Sequence, residues 1–463
     1  MKSSTKNKWA NVPIRTREYL GYGSGMLAYQ LQNNIMNGYL LIFLTTVLEI
    51  PMIKAGAITV VCRFIDACTD LFFGTLGDRT KSRWGSYKPW YVACAVPACL
   101  TFWILFTKPS FITSGSTAAL VWAYIIYLLF GSVFTTIMQT SYNAFTSVVS
   151  YRPHERNKLV IFRQMGTNLS NILNSFVPVI MLWLGAGVAD SPRALSGIAL
   201  IAAVLGLVLY LFCGITIKER VPLNKGKKIS IIDSFKVFKG NWTFVGVAIM
   251  HVFTTLAIAM FGGLMAYYFI YYKGNPALMT PASLVGVIIA IIVNIALLPF
   301  LMKRFSKKQI YGGSVVIVAL LFLIGYLLSD SNVGGYFMFI AWQVGIVMTF
   351  ACIYATVPDA VDFGEWKSGV SAPGTINTVI TFIQKATTGI GTFAISVILS
   401  VSGFDQTMGM AQSDFTNSVI RIATPAAPLA FWLISALGLF FLNIRSERMK
   451  EIREDLAKRR EEN

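Results

Sequence analysis

Twelve long apolar runs punctuate this chain, and no water-soluble fold has room to bury them all. They cover approximately residues 20–48, 54–77, 89–107, 118–149, 157–185, 194–216, 242–272, 281–303, 308–328, 334–362, 374–402 and 420–444. A helix of about 20 apolar residues crosses a bilayer core. In lipid, every backbone N–H and C=O must be paired within the segment, which leaves helices or closed barrels. The pattern predicts an all-α integral membrane protein with twelve transmembrane helices. Composition agrees, with 55% of residues hydrophobic and only 13% charged, against about 25% charged in soluble domains.

The net charge of +18 invites a nucleic-acid reading, but its placement argues for topology instead. With both termini cytoplasmic, about 32 of the 39 Lys and Arg residues fall in the termini and alternate loops. The other loops keep only Lys54, Lys108, Arg193 and Lys273. This is the bias that orients membrane proteins, and it favours contact with anionic lipid headgroups. The N-terminus is polar and basic and has no short apolar core with a cleavage site, so the first crossing is expected to act as its own insertion signal. The protein is expected to lie in a membrane with both termini cytoplasmic, as a monomer and with no nucleic-acid partner.

The longest connection, KERVPLNKGKKISIIDSFKVFKGN, separates the sixth and seventh crossings. It divides the chain into a six-helix bundle at 1–217, a cytoplasmic middle loop at 218–241 and a second bundle at 242–445. The charged tail at 446–463 is expected to be a solvated helix on the membrane surface. Paired bundles of this kind are the frame of transporters with a midplane site. No Walker-type loop occurs, so any uphill work must draw on an ion gradient. The six cysteines all lie in apolar segments without CxxC spacing, and the two histidines, His154 and His251, are far apart in the chain. Neither set suggests a redox or metal centre, and no cofactor is expected.

Function is written in the polar residues inside the apolar runs. Arg63, Asp66 and Asp70 are spaced i, i+3, i+7, which places them on one helical stripe. Each ionised side chain at the bilayer centre costs about 2.5–3.5 kcal/mol. An Arg63–Asp66 pair offsets one carboxylate and leaves the other needing a cation or a proton. Hard oxygen ligands suit Na⁺ or H⁺; a structural salt bridge facing a wet cavity is the alternative. Gln30, Asn33, Asn34 and Asn37 share one face of the first crossing, and Thr136, Gln139 and Asn143 one face of the fourth. Unpaired amides in hydrocarbon are costly, so these faces are expected to line a hydrated cavity. Arg163 offers a planar guanidinium to paired hydroxyls or an anion, or else anchors the membrane edge. Lys385, mid-way along the eleventh crossing, links the halves or donates to substrate, unless it snorkels to an interface.

The segments RFIDACTD, GDRTKSRWGSYKPW and VPDAVDFGEWKSGVSAPG, with YGSG and PHERNKL, resemble the glycoside–pentoside–hexuronide:cation symporters. These are the melibiose-carrier branch of the major facilitator superfamily, and the likeness runs over nearly the whole chain. The resemblance implies a cation site at Asp66, Asp70 and Thr136, and a sugar site at Gln30, Gln139, Asn143, Arg163, Phe350 and Lys385. It implies gating or structural roles for Arg63, Asp78, Arg79, Arg83, Asp359, Asp362 and Glu365. Gln30 and Gln139 stand where the melibiose carrier has sugar-binding aspartates, which favours an anionic sugar more than in that carrier and leaves a neutral glycoside equally open.

The expected function is secondary active symport of a sugar with Na⁺ or H⁺ by alternating access, in the bacterial cytoplasmic membrane that the resemblance implies. A uniporter or exporter of an organic anion or sulfo-sugar keeps the fold and changes the job. A membrane enzyme or sensor finds no nucleophile–base pair, metal cluster or signalling domain to support it.

Overall fold

The computed structural model describes residues 13–80, 82, 84–150, 152–188, 190–220, 235–369, 373–405, 408, 411–442, 451–452 and 454–456; for 70–79, 147, 153, 157, 235, 373 and 374 it describes the backbone alone. Over these residues the twelve apolar runs fall on helix. In the first half they are α1 (Thr16–Ile42), α2 (Met52–Arg79), α3 (Lys88–Leu105), α4 (Thr117–Leu128), α5 (Thr136–Val148), α6 (Pro153–Ser175), α7 (Val177–Leu184) and α8 (Pro192–Thr216). In the second they are α9 (Trp242–Tyr267), α10 (Met279–Ile292), α11 (Leu298–Arg304), α12 (Lys307–Leu327), α13 (Val333–Ser368), α14 (Pro373–Val401), α15 (Asp414–Ser435) and α16 (Gly438–Phe441).

Sixteen helices serve twelve runs because four runs are split. A seven-residue π-helical stretch, Leu129–Thr135, joins α4 to α5, and one of five residues, Val293–Leu297, joins α10 to α11. Phe176 breaks α6 from α7 just ahead of Pro178, where the missing N–H and fixed φ disfavour an unbroken helix. Among the described residues, nine helices are long and apolar enough to cross a membrane, and the bent α6–α7 pair makes a tenth. The two remaining runs are α1, diluted by its amide face, and α2, diluted by Arg63, Asp66 and Asp70. Both of these crossings carry polar or charged residues that the sequence marks for function.

The chain forms two compact units. The first comprises Met1–Lys225, Phe269–Thr280 and Leu399–Ser413; the second comprises Gly226–Tyr268, Pro281–Ile398 and Asp414–Asn463. In the first unit, α1 packs against both α6 and α8. A Cβ on Gly166 would lie 2.1 Å from the Gly23 carbonyl oxygen, and one on Gly23 would lie 2.8 Å from that of Phe162. Only hydrogen fits at this crossing of α1 and α6, the close approach that small residues permit in membranes. The two short segments from later in the chain join through Tyr271, whose hydroxyl donates to Asp190 Oδ2 at 3.0 Å and whose ring meets Phe404 edge-on.

One end of the first unit is closed by charge. Arg220 and Glu18 form a bidentate pair at 2.7 and 2.8 Å, with side chains 2% and 5% exposed. Next to it, the Glu219 carboxylate accepts from the backbone N–H groups of Ser86, Tyr87 and Lys88 at 2.7, 2.9 and 2.7 Å. These are donors at the start of α3 that no turn of helix can satisfy. Lys88 acts in the opposite sense at the other terminus, donating Nζ to the carbonyls of Ile215 and Ile217 at the end of α8. Gly85 makes the turn possible: its φ is +119°, and a Cβ there would fall 2.4 Å from Glu219 Cδ.

In the second unit, the end of α13 gathers its neighbours. Lys307 Nζ donates to Asp359 Oδ2 at 2.8 Å and to the Ala355 carbonyl at 2.6 Å. Asn241 Nδ2 donates to the Ala360 carbonyl, and Lys367 Nζ to that of Gly240. The tail departs from the solvated helix expected of it. Ile452 and Leu456 are 3% and 4% exposed against Phe363 and Trp366, and the Trp366 indole donates to Asp455 Oδ2 at 2.8 Å. Two apolar residues four apart give the otherwise charged tail a face to bury.

Candidate functional site

Asp66 lies on α2 with 5% of its surface exposed. The Thr136 hydroxyl donates to its Oδ1 at 2.5 Å and stands 2.9 Å from the Gly131 carbonyl oxygen. Thr136 opens α5 immediately after the π-helical stretch. The widened turn brings the Gly131 carbonyl, five residues back, within reach of that hydroxyl, a distortion that recurs at functional sites. The same stretch is tied to α2 by the Ser132 hydroxyl, which donates to the Cys62 carbonyl at 3.3 Å.

Arg63 is close enough to pair with Asp66, at 3.9 Å, yet its short contact is elsewhere: Nη2 donates to Asn37 Oδ1 at 2.7 Å. The amide face of α1 thus holds the guanidinium while the Thr136 hydroxyl holds the carboxylate. At 3.9 Å the ion pair lacks the tight bidentate geometry that neutralises a buried carboxylate most strongly. Asp70 follows Asp66 by one turn along α2; its side chain lies outside the described residues, as do those of Asp78 and Arg79 and the whole of Arg83.

The first unit also assembles an amide and aromatic surface. Gln30 Nε2 donates to Asn34 Oδ1 at 2.9 Å, and Asn34 Nδ2 to Asn171 Oδ1 at 3.1 Å, linking α1 to α6. The Arg163 guanidinium sits 5.7 Å from the centre of the Tyr142 ring. That ring stacks on Tyr22 at 4.4 Å, and its hydroxyl donates to the Tyr22 carbonyl at 2.7 Å. Gln139 is half-buried and Asn143 exposed, both on α5 with Thr136. The structure therefore connects Gln30 to α6 through Asn34 and fixes Arg163 over an aromatic plane, and it joins the cation candidates Asp66 and Thr136 directly.

In the second unit, Phe350 and Tyr354 stack on α13 at 5.6 Å, and His251 of α9 meets both, at 5.4 and 6.0 Å. Lys385 is half-buried on α14. Among the gating candidates, Asp359 carries the Lys307 ion pair, Asp362 is half-buried and Glu365 is buried. Sequence reasoning misses Glu18, Glu219 and Arg220. Their signal is weak because each sits at a helix end in a run of ordinary surface-type charges, and only the fold shows that partner groups converge on them.

A family model described as MFS/sugar transport protein matches residues 21–446. The chain belongs to that family. A relative in Escherichia coli K12 named for sulfoquinovose import is 28% identical over 96% of this chain and 95% of its own. Another from the same organism, named for export of 2,3-dihydroxypropane-1-sulfonate, is 29% identical over 93% of this chain and 94% of its own. Among solved structures, a bacterial homologue of the human lysosomal transporter Spinster, inward-facing and unoccupied, superposes with a TM-score of 0.67 at 13% identity, over 94% of this chain and 98% of that one. Membership of the major facilitator superfamily makes this an integral membrane transporter and not an enzyme, as the twelve apolar runs and the melibiose-carrier-like motifs predict.

Proposed function

We propose that this sugar-family transporter is a cation-coupled symporter in which Asp66, Asp70 and Thr136 bind Na⁺ or H⁺. The observation that carries the reading is the Asp66–Thr136 contact at 2.5 Å, with Arg63 committed at 2.7 Å to Asn37. A buried carboxylate with a hydroxyl at its side is a hard oxygen site suited to a small monovalent ion. Cation binding relieves the repulsion between the Asp66 and Asp70 charges and so favours the sugar-ready state. By linkage, sugar favours the cation equally. The residues proposed for sugar recognition are Gln30, Gln139, Asn143, Arg163, Phe350 and Lys385. Amides donate and accept, an aromatic ring covers the apolar face of a pyranose, and Arg163 and Lys385 favour a carboxylated or sulfonated sugar. The basic loops support an orientation with both termini cytoplasmic.

Export without coupling is the second reading, favoured by the relative named for sulfonate export. Proteoliposomes separate the two. Uptake of a labelled sulfo-sugar, uronide or pentoside is expected to rise when a Na⁺ or H⁺ gradient is imposed inward. Transport of the same compound at an equal rate with and without either gradient overturns the symport reading.

A further inference from the structure

His251 has no part in the cation site or in the first-unit surface, yet it is one of only two histidines in the chain. It sits on α9 with no solvent exposure, and neither Nδ1 nor Nε2 has a hydrogen-bond partner among the described residues. One turn along the same face, Thr255 is 5% exposed and its hydroxyl is likewise without a partner among them. Buried side-chain polar atoms are in large majority hydrogen-bonded, and ionisable groups inside membrane helices mark substrate or ion pathways. Two such groups at i and i+4 make a buried polar stripe without hydrogen-bond partners among the described residues.

The surroundings say what reaches it. Val247 and Met250 beside it on α9 belong to a buried apolar cluster that includes Val344, Met348 and Cys352 and against which Phe350 packs. The imidazole touches the rings of Phe350, which is partly buried, and of Tyr354, which is 51% exposed. Phe350 packs directly on the imidazole, so a change of its rotamer is the local motion that would open that face of the ring.

We propose that His251, with Thr255, is a specificity-determining hydrogen-bond contact for a sugar hydroxyl, exposed as Phe350 turns to receive the sugar's apolar face. This rests on the sugar reading above. A neutral imidazole offers one donor and one acceptor, which matches a hydroxyl that both gives and takes. A carboxylate at this position would demand a counter-charge that the apolar cluster does not supply.

The test uses the full chain in lipid nanodiscs and four probes: glucuronate, xylose, methyl glucoside and a sulfonated glucose. His251→Phe keeps the ring and its packing and deletes the hydrogen bonds. It is expected to weaken binding about tenfold, the usual effect of losing one buried hydrogen bond, with the melting temperature unchanged. His251→Gln, which can still donate and accept, is expected to recover part of the loss. Wild-type affinity in His251→Phe overturns the proposal and reduces the imidazole to packing. If that variant fails to fold, Thr255→Val decides, and unaltered binding there overturns it too. Failure of the wild type to bind any of the four brings down the sugar reading and this inference with it.

Discussion

Asp66 is held by a neutral hydroxyl at 2.5 Å and faces a guanidinium at 3.9 Å, and both contacts bear on its chemistry. Asp66→Asn keeps the shape and removes the charge. Gradient-driven accumulation is expected to disappear while sugar binding partly survives, read by uptake into vesicles beside equilibrium binding. Thr136→Val is expected to weaken the coupling cation about tenfold, one hydrogen-bonding ligand in a buried site, read as the Na⁺ or H⁺ concentration for half-maximal uptake. The spacing of Arg63, Asp66 and Asp70 makes this stripe legible in the sequence alone, because charge in an apolar run has few explanations. The Asn37 contact to Arg63 is legible there only as a face of amides. Which amide meets which partner depends on the angle at which α1 passes α2, and periodicity holds no information about that angle. His251 is hidden for a similar reason. A single imidazole in an apolar run looks like core until the described residues around it are seen to offer no hydrogen-bond partner.

At the scale of elements, the informative feature is how helix ends are satisfied. Glu219 supplies a charged acceptor to three backbone donors at the start of α3, and Lys88 supplies a donor to two carbonyls at the end of α8. Glu219→Ala is expected to destabilise the first unit by about 1–3 kcal/mol, seen as a lower melting temperature in detergent, with Glu219→Gln intermediate. The tail offers a sharper check. Leu456→Asp places charge against Phe363 and Trp366, and faster hydrogen exchange is expected over 355–369 and the tail, with α1 to α8 unaffected. Unchanged exchange there would mean that the tail adds nothing to the end of α13. Helix existence and approximate bounds are readable from apolar length alone. The π-helical stretch before Thr136 is not, since its seven residues continue the hydrophobic pattern without a break. The docking of the tail is masked by composition: two apolar positions among many charges suffice to bury one face.

For the molecule as a whole, the charges sort by what they face. The proposed orientation draws on those in the loops and the proposed ion site on those in α2, while the Glu18–Arg220 pair fastens one end of the first unit. Removing one member of a buried pair leaves the other uncompensated, at a cost of about 3–5 kcal/mol. Glu18→Ala is expected to lower the yield of folded protein far more than Glu18→Ala with Arg220→Met, measured by size-exclusion profile after extraction. That contrast identifies the pair as a matched unit, in which neither partner is tolerated alone.

The same pair has a consequence for how the chain is made. Its members are 202 residues apart, so a ribosome working at roughly 5–20 residues per second delivers the second about 10–40 s after the first. Throughout that interval the carboxylate at the head of the earliest helix waits beside the membrane with its mate unsynthesised. Nascent chains halted before residue 220 should therefore be the ones that quality-control proteases seize, and those halted just beyond it the first to escape.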